Sequence, residues 1–161
     1  MSIDRIPLPP DIEGTLLLCG LRDIATEPER TVTASRIDLV VCLNEEIELA
    51  ARYPDYHRWL PAHSPERALW FPMQDFTAAG ADAARPVLES IVSRLSEGDR
   101  VLMHCAMGQG RAGTMATCVL LRLGVPLGEA LATVAAHRRH AGPAADSQWS
   151  LVEAVAVEQR R

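Results

Sequence analysis

The passage Val101-Leu-Met-His-Cys-Ala-Met-Gly-Gln-Gly-Arg-Ala-Gly-Thr114 restricts the fold more than any other part of the chain. An apolar strand runs into His104-Cys105, a loop comes next with Gly108 and Gly110, and Arg111 opens an apolar helix. Two further runs rich in Leu and Val, Thr15 to Cys19 and Ile37 to Leu43, join Arg100 to His104 as buried strands, and Ala68 to Met73 is a weaker fourth. Helical patterns cover Glu45 to Arg52, Asp82 to Glu97, Gly110 to Leu123, Leu127 to Arg139 and Ser147 to Glu158. Gly98 closes the second of these, Gly124 and Pro126 close the third, and the break AGPAAD separates the last two. Strand alternating with helix predicts an α/β fold: three layers, with a central, mostly parallel sheet of four to five strands flanked by helices. The proline-bearing stretch from Tyr53 to Glu66 reads as an irregular surface excursion.

With 161 residues, 48% of them hydrophobic, the chain is long enough for a real core and reads as a single domain over residues 1–161. Its formal charge of −5 gives no broad attraction to nucleic acid or to an anionic membrane, so neither is expected as a partner. Any anion it binds has to be held locally. The residues from Met1 to Pro10 lack the apolar core of a secretory signal, and the uninterrupted apolar runs fall far short of the ~20 residues that span a bilayer. A soluble, cytoplasmic protein is the expectation.

Cys19, Cys42, Cys105 and Cys118 show no paired spacing and no metal-ligand rhythm. Cys19, Cys42 and Cys118 lie in apolar runs and read as buried core thiols. Cys105 stands apart because of the loop that leads away from it. A loop whose successive backbone N–H groups turn inward, feeding a helix N-terminus, forms a nest for a tetrahedral dianion, and glycines permit the tight backbone this needs. Arg111 adds a planar fork that matches two phosphate oxygens. The same field favours a thiolate, so Cys105 is expected to be ionised and nucleophilic. Ligands in such folds bind at the carboxyl ends of the strands, where this loop sits.

Strand, His-Cys, Gly at the third position after Cys and Arg at the sixth, then a helix: this chain resembles the protein tyrosine phosphatase superfamily, whose phosphate loop reads His-Cys-x-x-Gly-x-x-Arg. It is most similar to the small dual-specificity branch and the cyclin-dependent-kinase-associated phosphatase group. The resemblance implies a phosphoprotein phosphatase of tyrosine or dual specificity, working through a phosphocysteine on Cys105. It implies Arg111 as phosphate clamp, and a substrate seat formed by Ala106, Met107, Gly108, Gln109 and Gly110 with His104 tuning the thiolate from behind. Trp70-Phe-Pro-Met-Gln-Asp75 resembles the Pro-x-x-Asp loop that carries the general acid in the family, which makes Asp75 the proton donor. The plainer reading of Asp75 is a loop or N-cap aspartate. Gln148 comes after the last helix break, where family members often carry a glutamine that places the hydrolytic water; otherwise it is a solvated first-turn residue. Arg138 either complements a helix end or supports the phosphate loop.

The family places Ser or Thr after the loop arginine, whereas this chain has Ala112. That hydroxyl assists departure of the cysteine sulfur, so its loss predicts a slow second step, and Thr114 lies too far along the helix to be taken as a substitute. A phosphate-binding module without turnover is the competing reading, ahead of a sulfur transferase or an arsenate reductase. The resemblance implies a phosphorylated protein or peptide as partner and no metal or other cofactor, since Arg111 and the loop amides already neutralise a phosphate. The uncharged Ala106, Met107 and Gln109 disfavour a polyanionic substrate. Reversible oxidation of Cys105 is expected, with no resolving thiol identified. The oligomeric state is left open.

Overall fold

A computed structural model describes residues 2–161. Five strands form one sheet in the order β1-β2-β5-β3-β4, where β1 is Asp4–Ile6, β2 Thr15–Gly20, β3 Leu39–Cys42, β4 Ala68–Trp70 and β5 Arg100–Cys105. All neighbours are parallel except β1, which runs antiparallel along the edge of β2. The α/β architecture with a mostly parallel sheet is therefore as the alternating pattern required. The helices are α1 Leu21–Ala25, α2 Pro28–Ala34, α3 Glu46–Leu49, α4 Pro54–His63, α5 Ala81–Ser96, α6 Gly110–Arg122, α7 Leu127–His137 and α8 Asp146–Gln159.

Side-chain alternation along the strands divides the core in two. Leu16, Leu18, Leu39, Val41, Val101, Met103 and Cys105 face one layer, packed with α5, α6, α7 and α8. Leu17, Cys19, Val40, Cys42 and Leu102 face the other, filled from α1, α2 and α4 by Ile24, Val32, Tyr56, Trp59 and Leu60. β5 is central and buried on both sides, which accounts for its near-continuous apolar sequence.

Four elements differ from expectation. The stretch Tyr53 to Glu66 is mostly helix, not an irregular excursion. Pro54 occupies the first helical turn, where its missing N–H has no partner to lose, and Tyr56, Trp59 and Leu60 supply a buried i, i+3, i+4 stripe. The short helices α1 and α2 fill a segment that carried no periodic signal, α2 again starting on a proline, Pro28. Finally, β1 has only three residues and ends immediately before Pro7, too little for a strand pattern. No helix among the described residues is long and apolar enough to cross a membrane.

Candidate functional site

Cys105 is the last residue of β5, and the chain turns from it through residues 106–109 into α6. Every carbonyl of that turn is tied outward. Ala106 O accepts from Leu21 N at 3.0 Å, and Gln109 O accepts from Gly113 N at 2.8 Å and Gly142 N at 3.2 Å. Arg138 takes the two between: its NH2 donates to Met107 O at 2.8 Å and its Nε to Gly108 O at 2.7 Å. In a trans peptide the N–H points opposite to the C=O. Anchoring the carbonyls outside therefore turns the N–H groups of Met107, Gly108, Gln109 and Gly110 inward, at the N-terminus of a 13-residue helix. Among the described residues, the N–H groups of Ala106, Met107, Gly108 and Gln109 have no acceptor in the protein.

Gly108 is required at its place. Its φ is +70°, and a Cβ there would collide with the Cys19 carbonyl and the Arg138 fork. Gly113 lets α6 lie directly against the backbone of residues 141–142.

Arg111 is wholly buried. Glu48 grips it from two sides, NH1 to Oε2 and NH2 to Oε1 at 2.8 Å each, and NH1 also donates to Met73 O at 2.8 Å. Burial works against the guanidinium's charge, but Glu48, Cys105 and Asp75 outweigh it and raise its pKa. The Glu48 carboxyl is held below its ordinary range: burial pushes it up, and the hydrogen bonds from Arg111, the Glu45 backbone and Asn44 more than reverse this. One nitrogen of the guanidinium makes no hydrogen bond. This is Arg111 Nε, which lies 3.4 Å from Asp75 Oδ1. A buried N–H without a partner costs roughly 1–3 kcal/mol, more when charged.

Asp75, half exposed, belongs to the loop from β4 to α5. That loop is fixed at Met73, whose N–H donates to Leu43 O and whose carbonyl is held by Arg111. Gln148 and Ser147, in the first turn of α8, hold its far side: Gln148 Nε2 donates to Thr77 O at 3.3 Å and Ser147 Oγ accepts from Ala78 N at 3.1 Å. Gln148 is buried, not solvated, and its Oε1 accepts from Ala144 N and Ala145 N.

A cleft of about 290 Å³ opens over Cys105, lined by Asp75, Ala106, Met107, Gln109, Gly110 and Gln148, with Phe76, His140 and Ala144. A larger depression of about 540 Å³ between Leu69 and α5 holds no cysteine. Among the described residues, no group of three or more His, Cys, Asp or Glu is placed to hold a metal ion.

Two of the expected seat residues do not line the cleft. Gly108 offers only its N–H, and His104 does not reach the cavity, because alternation along β5 turns it to the opposite face. There His104 Nε2 meets Tyr56 OH at 2.6 Å, while its Nδ1 has no hydrogen bond. Burial pushes the imidazole's pKa down to about 3, so the ring is neutral. Cys19 and Cys42 flank His104 in register on the neighbouring strands. Burial pushes the Cys42 thiol up to about 12 and Cys19 higher still; Cys118, inside α6, is likewise pushed up to about 12. The Thr114 hydroxyl donates to Gly110 O at 2.6 Å, so it is not the missing neighbour of Cys105.

Glu48, Tyr56, Phe76 and His140 carry no motif that marks them along the chain as site residues. The first has a weaker signal: Glu45 and Glu48 form a capping-box pair at the mouth of β3. Tyr56 is hidden in the stretch that reads as irregular.

Residues 12–151 match the family model described as Swiss Army Knife protein, DSP-PTPase phosphatase domain (PTP-SAK). The chain belongs to that family. It therefore carries a phosphatase domain of the dual-specificity branch of the protein tyrosine phosphatase superfamily. No curated protein gives a match. Among solved structures, the phosphatase domain is similar to Tk-PTP in its active form, with 26% identity, coverage of 92% of this chain and 97% of that one, and a TM-score of 0.68. Two more distant neighbours share the fold. Human DUSP28 has 18% identity, covers 100% and 97%, and has a TM-score of 0.74. Kinase associated phosphatase, with its catalytic cysteine replaced by serine, has 16% identity, covers 99% and 96%, and has a TM-score of 0.77.

Proposed function

We propose that the chain is a cysteine-dependent phosphatase acting on phosphotyrosine, or on phosphotyrosine and phosphoserine/threonine, in a phosphorylated protein or peptide. The observation that carries this reading is the run of loop amides without an acceptor in the protein around the cleft over Cys105, beside a buried Arg111 whose Nε makes no hydrogen bond and lies 3.4 Å from Asp75 on the cleft wall. A tetrahedral dianion satisfies all of them at once.

In the first step the Cys105 thiolate attacks phosphorus, the ester P–O bond breaks, and Asp75 gives its proton to the departing oxygen. The loop amides and Arg111 hold the three non-bridging oxygens. In the second step the Asp75 carboxylate takes a proton from water, the hydroxide oxygen bonds to phosphorus, and the S–P bond breaks to restore the thiolate. Gln148 supports this step in two ways: it ties the acid loop in place, and its amide lies against Gly110 at the cleft wall. His104 contributes no substrate contact and acts on Cys105 through the backbone alone. The uncharged loop residues Ala106, Met107 and Gln109 favour a single phosphate group over a polyanion, and the enzyme is read as cytoplasmic and metal-independent.

Ala112 places no hydroxyl beside the sulfur, which makes breakdown of phosphocysteine the slow step. The same absence favours the second reading, a phosphate-binding module without turnover. Incubation with p-nitrophenyl phosphate in EDTA decides between them. Hydrolysis by the wild type and none by Cys105→Ser supports the enzyme; oxyanion binding without hydrolysis supports the module. In the enzyme, product appears as a burst of about one equivalent before slow release, and Ala112→Ser speeds the steady state. A linear time course with no gain in the variant contradicts the slow second step.

A further inference from the structure

Arg138 stands just past α7 in extended backbone, and its guanidinium is nearly buried. One edge of the fork holds the Met107 and Gly108 carbonyls, which lie on either side of the Gly108 N–H. The other edge, NH1, is held by the N-terminal segment: it donates to Asp4 Oδ2 at 2.8 Å, to Ser2 O at 3.2 Å and to Leu18 O at 3.4 Å. Asp4 is the only charged group among these acceptors. It opens β1, and it pairs with Leu18 near the end of β2 that abuts the loop.

The two peptides that Arg138 fixes meet at Gly108, the residue with the widest backbone freedom. If the fork tilts, either peptide can rotate and bring a carbonyl oxygen into the cleft in place of an N–H. That exchange opposes an anion where it had been favoured. A fork has one orientation that meets both carbonyls, and a carboxylate on its far edge selects that orientation.

We propose that Asp4, on the antiparallel edge strand, is a positioning residue for the phosphate loop: through Arg138 it keeps the peptides around Gly108 turned with their N–H groups toward the cleft. This rests on the reading of the loop as a phosphate seat. It makes the first strand part of the binding machinery, although no atom of that strand reaches the cleft.

The test is competitive inhibition by orthovanadate and inorganic phosphate, measured with the thermal midpoint of each variant. Asp4→Ala weakens both oxyanions about tenfold, a charge-assisted bond discounted for Asp4's partial exposure. Asp4→Glu restores affinity to within about twofold, since the pair needs the charge more than the length. Arg5→Gln, one residue along β1 with an exposed side chain, leaves affinity as in the wild type. Arg138→Lys keeps the charge, loses the fork, and weakens oxyanions at least as much as Asp4→Ala. Affinity unchanged in Asp4→Ala, or lowered equally by Arg5→Gln, overturns the proposal while leaving the phosphate seat intact. A wild type that binds no oxyanion overturns both.

Discussion

His104 and Cys105 are neighbours on one strand, yet the molecule treats them as opposites. His104 faces a dry layer, between two thiols whose ionisation burial suppresses, and is kept neutral against Tyr56. Cys105 faces a cleft with a buried guanidinium, a ring of free amides and a helix N-terminus. The residue types differ less than their surroundings: Cys19 and Cys42 sit within a residue of the same level of the sheet and share the element type of Cys105. Strand alternation, a property of backbone geometry alone, decides which thiol meets the positive field.

Changes on the Cys105 face break the contrast most directly. Cys105→Ser lowers turnover of an aryl phosphate by at least about 10⁴-fold, as loss of a nucleophile does. Iodoacetamide at neutral pH modifies Cys105 in the folded protein and reaches Cys19, Cys42 and Cys118 only after denaturation; equal labelling of all four would erase the distinction. Asp75→Asn lowers turnover by about 10²–10⁴-fold while oxyanion binding is retained, because it removes a proton and not a phosphate contact. A parallel loss of both would remove Asp75 from the acid's role. Glu48→Gln lowers kcat/KM by about 10–100-fold, since the fork of Arg111 loses its charged partner.

The His104 face responds through stability. Its pKa lies below that of an unfolded histidine, so between about pH 6.5 and pH 3 the unfolded chain binds one proton more than the folded one. Folding stability is complete above pH 6.5 and falls as pH drops through that window, by on the order of 4 kcal/mol from this residue. His104→Asn flattens that part of the curve in thermal or urea unfolding, and an unchanged slope would refute the assignment. Tyr56→Phe, which removes one buried hydroxyl, costs about 1 kcal/mol of stability and leaves oxyanion affinity within about twofold.

Legibility in the sequence divides along the same line. Cys105, the loop and Arg111 are contiguous, and each demands a residue type for a local reason, so they can be read along the chain. Asp75 is readable only through the resemblance of Pro72-Met-Gln-Asp75 to the Pro-x-x-Asp loop of the family. Glu48, Tyr56 and Asp4 come from three other elements and meet Arg111, His104 and Arg138 only through the way the sheet is ordered. Nothing local in Asp4 announces a partner at position 138. The prolines in 53–66 mark a break in the sequence, while in the fold one of them starts a helix whose apolar stripe is present but outweighed. Gln148 has two readings along the chain, and only packing against the loop that carries Asp75 removes the solvated one.

At the centre of the proposed chemistry, a phosphoryl group is carried on the sulfur at the floor of this cleft. Rapid acid quench of wild-type protein with an aryl phosphate, and then mass measurement of the peptide containing Cys105, tests it directly. The expected result is that most chains carry one added phosphoryl group on Cys105 during steady state, and that Ala112→Ser reduces that fraction. Hydrolysis that proceeds with no phosphate ever found on Cys105, and continues in Cys105→Ser, would contradict it.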